Sequence, residues 1–173
     1  MKKKSIYILT AIIAGLLVFY LYPRPKGYIK IETSGVEMLI SKGWFQNVKI
    51  ASKDSSVKIT SGTYSPKNIF IKATKDKDKW WTVYSYSGPW GNLSKINIEK
   101  DKTTFLIFGP PFTIKTNMQK NGRNVSIGLS LVGRSGEYWN PQVLSNKGQV
   151  MAPKLSITDE AGKILSLGSF QFG

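Results

Sequence analysis

After Gly27 the apolar residues fall on alternate positions in short runs, each closed by turn-forming residues, and a period of two commits a chain to β-strands. Residues 28–33, 36–40, 48–51, 57–60, 69–74 and 80–86 all follow this pattern. Between them lie Lys53-Asp54-Ser55-Ser56, Ser61-Gly62 and the charged tip Lys75-Asp76-Lys77-Asp78-Lys79, which solvate turns readily. No stretch carries the apolar period of a packed helix.

Two successive prolines in Gly109-Pro110-Pro111 cannot continue a central ladder, so a boundary is placed there. Beyond it Phe112, Ile114, Thr116 and Met118 share one face. After Asn121-Gly122, a strong hairpin signal, Val125, Ile127, Leu129 and Leu131 share another. Ser126, Gly128 and Ser130 take the alternate positions, which predicts one buried and one wet face. A closing hairpin sets Leu155 and Ile157 against Leu165 and Leu167 across residues 158–163. Its apolar phase then slips to Phe170 and Phe172, which predicts a bulge near Gly168. The body reads as one or two small β-sandwich units of Ig-like type, 27–109 and 110–173.

Residues 1–26 differ in kind. No charge falls between Ser5 and Pro23, and residues 6–22 are apolar apart from Thr10 and the tyrosines. A helix needs roughly 20 apolar residues to cross the hydrocarbon core, with about 17 as the lower limit, and this run meets it. Tyr7, Tyr20 and Tyr22 mark the interfacial ends, and Pro23 supplies a stop. Lys2, Lys3 and Lys4 against Arg24 and Lys26 favour an inside N-terminus and an extracytoplasmic body. A cleaved secretory signal is the rival reading. It wants small residues where this chain has Phe19-Tyr20-Leu21-Tyr22, and either reading exports the body.

Composition then removes chemistries. The chain has no cysteine and no histidine, so disulfides, thiol nucleophiles, lipid-modified Cys and the commonest general base and metal ligand are absent. Lys and Arg number 25 against 10 Asp and Glu; setting aside the five basic residues flanking the apolar run leaves 20 against 10, a body of net +10. Only Arg123 and Arg134 lie in that body, so the planar guanidinium forks that read phosphates and bases are scarce, and nucleic acid is an unfavoured partner. Dispersed lysines solvate strand faces or attract an anionic surface.

The segment Gly27-Tyr28-Ile29-Lys30-Ile31, with Ser61-Gly62-Thr63-Tyr64 before a strand, resembles the small β-domains of the PEGA type found on bacterial surface proteins. Residues 110–173, with Gly136-Glu137-Tyr138, the Ile157-to-Lys163 turn and Gly168-Ser169-Phe170-Gln171-Phe172-Gly173, resemble C-terminal β-segments of secreted bacterial proteins of unknown function. The resemblance implies a location and a β fold, and carries no activity.

Candidate sites are few. Trp80, Tyr84, Tyr86 and Trp90 form the best aromatic platform for sugar rings or peptides, with Trp44, Trp81, Tyr138 and Trp139 elsewhere. Core packing competes for all of these, and alternation turns Trp81 inward with Val83 and Ser85. Asp76 and Asp78 have the spacing of calcium ligands, but three interleaved lysines lower the local negative potential, so no metal is expected. Asp159 with Glu160 lies in a turn, and Glu32 and Glu37 are isolated. The sequons Asn92-Leu93-Ser94 and Asn124-Val125-Ser126 carry little weight beside a bacterial-type anchor.

These features favour a noncatalytic, membrane-anchored extracytoplasmic β protein, without cofactor, that binds or scaffolds an envelope component: an anionic polymer, a lipid headgroup or a protein. A carbohydrate-binding module using exposed aromatics is the second reading. A cryptic Ser/Lys-type hydrolase, which needs no histidine, is the third.

Overall fold

A computed structural model describes residues 13, 24–44, 46–76 and 79–170. The run 6–22, expected to cross a membrane, lies outside these residues except for Ile13, which is helical. Among the described residues no helix is long and apolar enough to span a bilayer.

The described chain is all-β. Its first strands are β1 (Lys26–Ile31), β2 (Val36–Lys42), β3 (Gln46–Ala51), β4 (Val57–Thr60), β5 (Gly62–Asp76) and β6 (Lys79–Ser85). Each overlaps a run expected from alternation. After a 3-10 turn at Gly91–Ser94 come β7 (Ile96–Ile98) and β8 (Thr103–Leu106), which alternation did not flag. Three or four residues carry too little period to register, and β8 joins the fold by a parallel pairing to β1 that no local pattern encodes.

Two layers enclose the core. The larger sheet runs β3-β2-β5-β6, and the smaller runs β4-β1-β8. The burial of β1 alternates because Gly27, Ile29 and Ile31 turn inward while Tyr28 and Lys30 do not. Ile29, Ile31, Ile59 and Leu106 thus meet Val36, Met38, Ile40, Ile69, Ile71 and Val83 of the facing layer in one buried cluster. The 15-residue β5 pairs through Gly62–Tyr64 with β7 and through its remainder with β2 and β6. At Pro66, which has no N–H to give the ladder, the β2 register slips between Leu39 and Ile40. Tyr64 is fully buried there; its hydroxyl donates to the Thr60 carbonyl at 2.8 Å, and burial raises its pKa.

Past the double proline the strands are β9 (Thr113–Asn121), β10 (Asn124–Val132), β11 (Tyr138–Trp139), β12 (Leu144–Ser145), β13 (Gly148–Gln149), β14 (Lys154–Thr158) and β15 (Ile164–Ser169). The segment 137–145 returns to the first layer: β12 pairs with β6, and Trp139 enters the common core with 3 % of its surface exposed. Glu137 anchors this return. Its Oε1 accepts N–H bonds from Gly109 at 2.5 Å and from Trp139 Nε1 at 3.1 Å, and its Oε2 accepts one from Ser135 at 2.9 Å.

The hairpin β9–β10 forms across Gly122, whose φ of +59° suits glycine, as the Asn-Gly signal predicts. The expected buried face does not. Ile114, Met118 and Val125 are 60 %, 71 % and 49 % exposed. The closing hairpin differs too. Leu155 opposes Gly168 and Ile157 opposes Ser166, so Leu167 lies on the other face, and the register break falls at Ile157/Thr158 rather than near Gly168. The ribbon therefore needs no phase slip at Phe170. It carries apolar side chains on both faces, and Leu165 and Leu167 are left in solvent.

Candidate functional site

The outer face of the larger sheet carries a group of aromatic and charged side chains. Along β6, Val83 and Ser85 drop into the core, and Trp80 and Tyr84 on the alternate positions are half-buried, with Thr82 between them covered. The β5 register sets Phe70 opposite Tyr84, Lys72 opposite Thr82, and Thr74 opposite Trp80. From β2, Glu37 lies opposite Phe70 and Leu39 opposite Asn68. Phe70 stands between two β-core residues, Ile69 and Ile71, so alternation alone aims it outward.

The aromatic side chains are fixed differently. The Tyr84 ring lies 4.8 Å from that of Tyr86, tilted by 43°. Its hydroxyl donates to Gln142 Oε1 at 3.2 Å and accepts from Asn140 Nδ2 at 3.0 Å, bonds that hold the ring in place. Tyr86 is 66 % exposed and Phe70 38 %. Lys72 Nζ sits 4.9 Å from the Trp80 ring centroid, a cation-π contact that occupies one face of that indole.

Phe70 divides two shallow depressions. One, of about 260 Å³, is lined by Glu37, Leu39, Lys49 and Asn68; the other, of about 490 Å³, by Ser34, Ser52, Lys53, Lys72 and Thr74. Lys49 and Glu37 pair across the first at 2.5 Å. Lys53 and Lys72 line the second, with no carboxylate there but the already paired Glu37.

Of the expected platform, Tyr84 and Tyr86 are in ring contact, Trp80 lies four residues along β6 from Tyr84, and Trp90 takes the N-cap position of the 3-10 turn and packs against the buried cluster. Trp81 packs against the same cluster, and the fully buried indole is Trp139. Trp44, at 91 % exposed, stands in the β2–β3 turn. Sequence reasoning passed over Phe70, although its position between Ile69 and Ile71 was a sufficient signal.

A second candidate surface lies between the hairpins. Val125, Ile127 and Leu129 of β10 face Leu155, Ile157 and Phe170 across a groove of about 680 Å³, with Pro141 at its floor. Serines and glycines alternate with these apolar residues on both walls, Ser126 and Gly128 on one and Ser166, Gly168 and Ser169 on the other, and among the described residues the ribbon's strands pair with each other.

The arrangement closest to a Ser/Lys pair joins Lys42 and Ser61, where the ammonium donates to the Ser61 carbonyl oxygen. The Ser61 hydroxyl oxygen is sealed from solvent, so a substrate carbonyl has no path to it. Among the described residues no group of three or more acidic side chains is placed to hold a metal ion. Asp78 lies outside the described residues. Comparisons with protein-family models, curated proteins and solved structures give no match.

Proposed function

We propose that the chain is a noncatalytic module, tethered to a membrane by residues 1–26 and displayed on the extracytoplasmic side, that binds or scaffolds another envelope component. The observation that carries this reading is the groove between the two hairpins. The body completes its own core, yet Val125 and Ile157 of the groove walls remain 49 % and 37 % exposed. Large apolar side chains left exposed in a groove, among hydroxyls that can hydrogen-bond a guest, mark an interaction site.

The groove suits an extended polypeptide segment. Only Leu131 and Val132 of β10 pair with β11, so the stretch from Asn124 to Ser130 has a free strand edge on that side. A guest strand there gains backbone hydrogen bonds from the edge and pockets for its alternate side chains. Lys115, Lys120 and Arg123 on the hairpin favour an acidic guest.

Photo-crosslinking in the native envelope tests the reading. A photoreactive side chain at Ser166, on the groove face of β15, should give a discrete protein adduct that Ile127→Lys abolishes. Adducts unchanged by Ile127→Lys, or none at all, would contradict it.

A further inference from the structure

We infer that the outer face of the larger sheet, centred on Phe70, is a binding site for an acidic glycan. It is separate from the hairpin groove and does not depend on it.

Three observations converge on this ligand class. First, Phe70 and Tyr86 are exposed aromatic rings on or beside a hydrogen-bonded sheet, with the Tyr84 ring between them, held by two amides. An aromatic face carries negative charge density and attracts the slightly positive C–H face of a pyranose. Second, the two depressions flanking Phe70 are lined by hydroxyl, amide and ammonium groups: Ser34, Ser52, Asn68, Lys53 and Lys72. Hydroxyl-rich guests need such partners, and a lipid tail would leave them unpaired. Third, the charge around Phe70 is positive. Glu37 is matched by Lys49 at 2.5 Å, which leaves Lys53 and Lys72 to meet carboxylates or phosphates on the sugar.

The platform therefore differs from one built on tryptophan. Lys72 lies over one face of Trp80, and Trp90 is committed to the core. Phe70 supplies the stacking surface, Tyr84 and Tyr86 extend it, and the lysines select for charge. Binding is shallow and salt-sensitive, since both depressions are open and the charges exposed.

Titration calorimetry on the full chain in detergent, with hexagalacturonate as the acidic probe and maltohexaose as the neutral one, tests the inference. Hexagalacturonate should bind, and maltohexaose should bind at least about tenfold more weakly. Phe70→Leu keeps an apolar side chain and the fold, which circular dichroism verifies, yet should cut affinity about tenfold, the equivalent of the upper range for one aromatic contact. Lys53→Glu with Lys72→Glu should abolish binding, whereas Lys154→Glu, on the ribbon, should leave it unchanged. Equal affinity for both probes, wild-type affinity in Phe70→Leu, or equal losses from Lys154→Glu would each overturn it. Ile127→Lys serves as the separating control. It removes the groove and should spare glycan binding, so either site can fail without the other.

Discussion

Glu137 has no exposed surface, and its carboxylate accepts bonds from three N–H groups on two segments, Gly109 before the double proline and Ser135 and Trp139 after it. The close quarters are visible at Gly133, where a Cβ would lie 1.9 Å from Glu137 Oε1. Glu137→Ala should leave those donors without an acceptor at about 1–3 kcal/mol for each one that water cannot reach, so unfolding free energy should fall by at least about 3 kcal/mol. A denaturant midpoint within experimental error of wild type would contradict this. Nothing in Gly136-Glu137-Tyr138 announced a buried carboxylate, because its partners lie on the far side of a turn and at position 109. Phe70 is the opposite case. Its exposure was readable from the two inward isoleucines beside it, but aromatic density drew attention to residues 80–90 instead.

At the scale of elements, the contrast is between strands that share a core and strands that do not. Ile71 in β5 is 1 % exposed and packs within the buried cluster; Leu167 in β15 is 71 % exposed. Thermal or denaturant unfolding should therefore report a loss of about 2–5 kcal/mol for Ile71→Ala and less than about 0.5 kcal/mol for Leu167→Ala. A comparable loss from both would mean that the ribbon packs as tightly as the body. Local alternation identified β1 to β6 and the turns at Gly122 and 158–163, because hairpins and half-buried strands encode their own period. It could not identify the parallel β1–β8 pair or the return of β12 to β6, which depend on contacts between distant residues. It also misjudged burial in β9–β10 and β14–β15. An apolar stripe marks a face that avoids water, and nothing local says whether the same chain supplies the cover.

At the scale of the molecule, a self-sufficient two-layer body carries two surfaces of different chemistry: a groove between hairpins lined by aliphatic side chains and serines, and a sheet face with aromatic rings among lysines. Such a division suits a tethered adaptor that holds a protein segment near an anionic polymer. The absence of cysteine makes its placement directly measurable, since one introduced thiol is the only one in the chain. Glu160→Cys puts that thiol in the exposed β14–β15 turn. In spheroplasts with an intact inner membrane, a membrane-impermeant maleimide should label Glu160→Cys as fully as it does after lysis. Labelling that appears only after lysis would place the body in the cytoplasm and contradict the account of an envelope-facing binding module.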